Sequence, residues 1–115
     1  MPASSAEASK KMQEVQLTEH QAQQLAIQKQ ATQVELNEVQ NALAEISATQ
    51  DEIYRMLGNV MIRTEKSTLT KELSERKKLL ELRIQALEKQ ENLIDDKSKK
   101  LREELISQVS PHKKK

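Results

Sequence analysis

The sequence predicts an all-α chain with a small β-hairpin, two long helices folded into an antiparallel coiled coil and joined by one strand pair. Three observations carry this. The 115 residues include one aromatic residue, Tyr54, and one glycine, Gly58, with 32% charged and 36% apolar side chains, a composition suited to helices that bury a narrow seam rather than to a globule. Apolar residues recur at alternating spacings of three and four along two stretches. Between those stretches lies an apolar island, Ile53 to Thr64, centred on Gly58-Asn59. The chain therefore reads as one domain: a helix over residues 5–50, a hairpin over 53–64, a helix over 67–109 and a flexible tail at 110–115.

The first helix is expected to open at Ser4, which with Glu7 has the spacing of a capping box, each side chain serving the other's free backbone N–H. Its seam runs through Val15, Thr18, Ala22, Leu25, Lys29, Thr32, Leu36, Val39, Leu43, Ile46, Gln50 and Ile53. Thr18, Ala22, Lys29 and Thr32 are poor seam residues, and the seam improves toward the hairpin through Leu36, Val39, Leu43 and Ile46.

A two-residue loop at Gly58-Asn59 sets Leu57 against Val60, Met56 against Met61, Arg55 against Ile62 and Tyr54 against Arg63. Side chains alternate along a strand, so Ile53, Leu57, Val60 and Ile62 share one face and Tyr54, Met56 and Met61 the other. Both faces are partly apolar, and a lone hairpin is marginal in water. Tyr54, Met56, Leu57, Gly58, Asn59, Val60, Met61 and Ile62 are therefore expected to form an oligomerisation element. Arg55 and Arg63 read as a solvated rim.

Ser67 is the expected N-cap of the second helix, and Pro111 blocks its continuation. Leu73, Leu80, Leu87, Ile94 and Leu101 repeat every seven residues, and four residues after each come Lys77, Ile84, Glu91, Ser98 and Leu105. Leu79, Leu82 and Leu93 are expected to widen the seam. Equal arms fold back on each other, which brings residues near 12–27 beside residues near 95–109. There Met12, Val15, Leu17, Leu25 and Ile27, with Leu101, Leu105, Ile106 and Val109, exceed what one narrow seam buries. The residues alone leave two readings open, a frayed end with leftover apolar surface or an adaptable binding surface at the tips.

Several function classes are excluded at this stage. Net charge is only +1, with −3 on residues 1–50 and +4 on residues 51–115, so the arms attract weakly and nucleic acid is not an expected partner. A basic zipper needs a basic helix upstream of its leucines. Here Arg76, Lys77, Lys78 and Arg83 lie inside the leucine register and alternate with Glu72, Glu75, Glu81 and Glu88. No apolar run approaches the roughly 20 residues that cross a bilayer, and no basic start followed by an apolar run marks a leader. A cytoplasmic chain with no membrane partner is expected. With no cysteine, no second ligand four residues from His20 and no carboxylate pair in an apolar setting, neither metal, cofactor nor catalysis is expected.

The hairpin residues Tyr54 to Arg63 (Tyr-Arg-Met-Leu-Gly-Asn-Val-Met-Ile-Arg), then Leu69 and Leu73, then Leu80 to Glu91 (Leu-Glu-Leu-Arg-Ile-Gln-Ala-Leu-Glu-Lys-Gln-Glu), resemble the β-type subunits of prefoldin, the archaeal form most of all. The likeness covers residues 10–109. Its specific part is the single hairpin with a central Gly-Asn, since the arms alone fit many families. The N-terminal extension and the lysine tail depart from it. The resemblance implies a hexamer of two α-type and four β-type subunits, with hairpins joined into β-barrels. It also implies ATP-independent holding of unfolded client polypeptides at the coiled-coil tips and their delivery to a group II chaperonin, with Lys99, Lys100 and the lysine tail as candidate chaperonin contacts. The alternative is a structural coiled-coil scaffold or adaptor without client binding, which would share the arms but would not need an apolar strand pair.

Overall fold

The computed structural model describes residues 5–109 and orders them as α1 (Ser5–Ala48), β1 (Ile53–Leu57), β2 (Val60–Thr64) and α2 (Lys66–Val109). Each helix has 44 residues, which at 1.5 Å rise makes each about 66 Å long. The expected fold class, two long helices joined by one antiparallel hairpin, is the one observed.

The junctions between elements are built locally. After α1 ends at Ala48, the Thr49 N–H still donates to the Glu45 carbonyl, and the Asp51 N–H then turns onto Thr49 Oγ1 at 3.2 Å. Lys66 Nζ donates to the Thr49 carbonyl at 3.1 Å, placing a cation just past the C-terminus of α1, where the helix dipole favours positive charge. The second helix begins at Lys66, and the Leu69 N–H donates to the Glu65 carbonyl, so Glu65 holds the cap position and Ser67 lies inside the first turn. That corrects the expected cap at Ser67. The other expected cap, Ser4, lies outside the described residues.

The hairpin pairs Ile53↔Thr64, Tyr54↔Arg63, Arg55↔Ile62, Met56↔Met61 and Leu57↔Val60. Gly58 has φ +61° while Asn59 has no positive φ, which is the type II′ arrangement, with glycine at the first central position. A Cβ on Gly58 would meet no atom within 4 Å, so the whole cost of a larger residue there is backbone strain. Gly58→Ala is expected to weaken the hairpin by about 1–2 kcal/mol. Amide exchange at Val60 and Ile62 would read this as faster by roughly tenfold or more, and unchanged protection would refute it.

The chain divides into two compact units. In residues 30–85 the two helices pack antiparallel around Leu36, Val39 and Leu80, with half-buried Leu43, Leu73 and Ile84 against them. Ile46 and Thr32 are also buried, and Arg76 pairs with Glu35 across the helices. Leu79 and Leu82 point outward and are exposed. They do not widen the seam, because the seven-residue stripe turns both away from the partner helix.

The second unit pairs α1 up to Lys29 with α2 from Ala86, again antiparallel. Its buried residues are Val15, Thr18, Leu87 and Leu101, with half-buried Ala22, Leu25, Ile94, Ser98 and Leu105. Thr18 is tolerated in the seam because its hydroxyl donates to the Glu14 carbonyl at 2.7 Å, so no polar group is stranded. Lys29, also a seam residue, donates to Glu91 at 2.9 Å with Glu88 at 3.8 Å. The Glu91 hydrogen bond raises the Lys29 pKa above its ordinary value, and the paired charges penalise any slipped register. Lys11 donates to Glu104 at 2.9 Å and Glu19 pairs with Arg102.

The Lys11 hydrogen bond holds the Glu104 carboxyl below its ordinary range, and the same bond raises Lys11. A depressed carboxylate contributes stability that is complete above its unfolded pKa and disappears as pH falls through the folded value. Thermal melts should therefore show a small loss of stability below the ordinary carboxylate range, and Glu104→Gln should reduce it. The effect is modest because the pair is solvent-screened. An identical acid response in the variant would count against it.

Candidate protein-binding surfaces

Besides Val34, Leu79 and Leu82 of the unit formed by residues 30–85, two sets of apolar side chains face solvent. The first is the hairpin. Its strands were forced into extended backbone by the Gly58 turn, and alternation displays side chains on both faces. Tyr54, Met56, Leu57, Val60, Met61 and Ile62 are all exposed, whereas Ile53 and Thr64, nearest the helices, are half-buried. Gly58 and Asn59 form the exposed turn between them. Arg55 is more than a rim residue, since it donates to Glu72 of α2 at 2.7 Å and ties the strand pair to the helix. The contact joins residues 17 apart across a chain reversal, so no local pattern announces it. Arg63 pairs with Glu52 at 3.0 Å.

The second set lies in the unit formed by residues 5–29 and 86–109. The nine apolar residues expected near the tips divide there, with Leu25 half-buried. Met12, Leu17 and Ile106 are exposed, and Leu105 is half-buried. Val15 and Leu101, expected both in the seam and among the tip residues, are buried at seam positions, where the heptad stripe points both at the partner helix. The Val109 side chain lies outside the described residues. Ile27 and Leu93 join the exposed set, and Leu93, at 70% exposure, is the most exposed large apolar residue of the described chain. Leu93 was expected to widen the seam and instead faces solvent, because it precedes the stripe residue Ile94 by one position and is turned away from the partner helix.

Beside Leu93 is a groove of about 380 Å³ with Leu25, Leu93 and Ile94 as its apolar floor and Gln21, Gln24 and Gln90 at its rim. No charged side chain lines it. The Gln108 carboxamide oxygen, also in this unit, is buried without a hydrogen-bond partner. The seam of this unit also holds Thr18, Lys29, Glu91 and Ser98, and the apolar side chains fully buried in it are Val15, Leu87 and Leu101, against Leu36, Val39, Ile46 and Leu80 in the other unit.

Of the expected seam residues, Leu36, Val39, Ile46, Leu80 and Leu87 are buried, and Leu43, Leu73 and Ile94 are half-buried. Among the described residues, no helix is long and apolar enough to cross a membrane.

In each unit the helix pair keeps one apolar stripe for itself and carries other apolar side chains outward, as the strand pair does, and exposed apolar surface of this kind marks interaction sites. The chain belongs to the prefoldin subunit family, whose model matches residues 9–111. It is 39% identical over 100 residues to the prefoldin subunit beta of Pyrococcus abyssi (strain GE5 / Orsay), covering 84% of this chain and 86% of that one. It is 38% identical over 92 residues to the prefoldin subunit beta of Pyrobaculum islandicum, covering 78% and 74%. The crystal structure of the prefoldin beta subunit from Thermococcus strain KS-1 matches with a TM-score of 0.84 at 31% identity, over 91% of this chain and 94% of that one. The beta2 subunit of the same strain, at 18% identity and a TM-score of 0.67, shares the fold. The chain is a prefoldin chaperone subunit, and that family membership implies assembly with other prefoldin subunits.

Proposed function

We propose that this is a β-type subunit of a cytoplasmic, ATP-independent holding chaperone, joined with α-type subunits as two α and four β chains. The hairpin residues Tyr54, Met56, Leu57, Val60, Met61 and Ile62 drive that assembly, their unpaired strand edges closing with those of neighbours into β-barrels. Unfolded client polypeptides bind the outward apolar residues Met12, Leu17, Ile27, Leu93 and Ile106, and pass from there to a group II chaperonin.

The observation that carries the reading is the coincidence, in one unit, of exposed Leu17, Ile27, Leu93 and Ile106 with a seam that includes the polar residues Thr18, Lys29, Glu91 and Ser98. Apolar burial is non-directional, so such a surface holds many sequences without selecting one. Leu105 and Leu101 become available only to the extent that the helices part.

The test is native mass with and without an α-type subunit, followed on the same samples by suppression of aggregation of a denatured protein. A mass matching two α and four β chains, with suppression, is the expected result. A bare coiled-coil dimer without suppression would leave a structural scaffold. Changing Leu17, Ile27, Leu93 and Ile106 together to serine should abolish most of the suppression, since four lost apolar contacts at about 1 kcal/mol each weaken client binding by roughly a thousandfold. The mass of the assembly should stay as it was. Undiminished suppression would defeat the assignment of the client surface.

A further inference from the structure

Met56 and Met61 are directly opposed across the strand pair, one on each strand, on the face they share with Tyr54. Directly opposite residues bring their Cβ atoms to about 5 Å, so the two thioethers form a single patch. They are 64% and 62% exposed, against 46% for Met12. The opposite face carries Ile53, Leu57, Val60 and Ile62, which peroxides do not attack. The chain has no cysteine, so thioethers are its only sulfur.

We propose that Met56 and Met61 are a paired oxidation site for peroxides that controls whether the subunit assembles. This rests on the reading of the hairpin as the assembly element. A sulfur lone pair attacks one oxygen of hydrogen peroxide and the O–O bond breaks. That oxygen stays on sulfur as the sulfoxide, and the other leaves as water. Sulfur is oxidised by two electrons and the peroxide is reduced by two. Each methionine thereby changes from a flexible apolar side chain to one with a strong hydrogen-bond acceptor. A single cross-strand patch then carries two polar oxygens into a contact that would otherwise bury apolar surface, and burial of an unpaired polar group is unfavourable. Assembled subunits cover the patch and resist the reaction, so the site distinguishes free from assembled chains. Reduction of the sulfoxides restores the original surface.

The experiment treats the free chain with hydrogen peroxide, locates the added oxygen by peptide mass spectrometry, and measures assembly with an α-type prefoldin subunit by native mass. Oxidation at Met56 and Met61 should weaken assembly by roughly tenfold or more, and methionine sulfoxide reductases should restore it. The Met56→Leu/Met61→Leu chain, compared only with itself and at whatever affinity it starts from, should show no loss of assembly on peroxide treatment, because it has no thioether on this face. Peroxide-treated wild type that carries both sulfoxides and assembles like untreated chain overturns the proposal, as does an equal loss in the leucine variant. Leu57→Asp with Ile62→Asp, on the other face, is the companion control. If that variant assembles normally, the hairpin reading itself fails and this proposal with it.

Discussion

Leu80→Ala is expected to destabilise the chain by about 3 kcal/mol, within the roughly 2–5 kcal/mol typical of a large-to-small change at a packed apolar site. Leu80 is only 1% exposed and is the centre of the Leu36, Val39 and Leu80 cluster, with Leu43, Leu73 and Ile84 packed around it. The three-carbon loss leaves a cavity that two helices with no third layer behind them fill poorly. Its neighbour gives the contrast. Leu79 has the same side chain one residue earlier but faces solvent, so Leu79→Ala should change stability by less than about 0.5 kcal/mol. Denaturant midpoints at constant slope measure both. Equal losses at the two positions would mean that the outward face around Leu79 is covered in solution.

Leu57→Asp combined with Ile62→Asp should abolish assembly with an α-type subunit while leaving the helical signal intact. Both residues lie on one face of the hairpin, on opposite strands, and both are exposed in the single chain. An exposed aspartate costs the isolated chain little. An aspartate forced into an apolar subunit contact must be desolvated or neutralised, which costs several kcal/mol per group and exceeds what such a contact returns. Native mass is the readout, with circular dichroism as the check on folding. A variant that still reached the full mass would show that another surface holds the assembly together.

Much of the fold was legible because coiled coils and two-residue hairpins are written in periodicity and turn chemistry, both local. The seam positions of α1 and α2 follow from counting alternate threes and fours, and the hairpin register follows from the Gly58-Asn59 loop. The helix starts were less legible. Ser67 resembles a cap by residue type, yet the cap is Glu65, two residues earlier, whose carbonyl accepts the first helical hydrogen bond from the Leu69 N–H. The outward apolar residues were harder still. Leu79, Leu82 and Leu93 look like seam residues when leucines are counted, and only the rotation of the helix assigns them to solvent.

The sequence by itself determined two uninterrupted helices, a II′-compatible turn, the register that opposes Met56 to Met61, and a chain without enough bulk for a globular core. The tertiary structure decided which apolar residues each helix spends on the other. Val15 and Leu101 go into the seam, while Leu17, Ile27, Leu93 and Ile106 are left outside. It also decided the long-range polar contacts, Arg55 with Glu72, Lys29 with Glu91 and Lys11 with Glu104, which lock the antiparallel pairing. The physical reason is the same in both cases. Helix and turn propensities act over a few residues, whereas burial and ion pairing are settled by which residue of a distant segment arrives opposite.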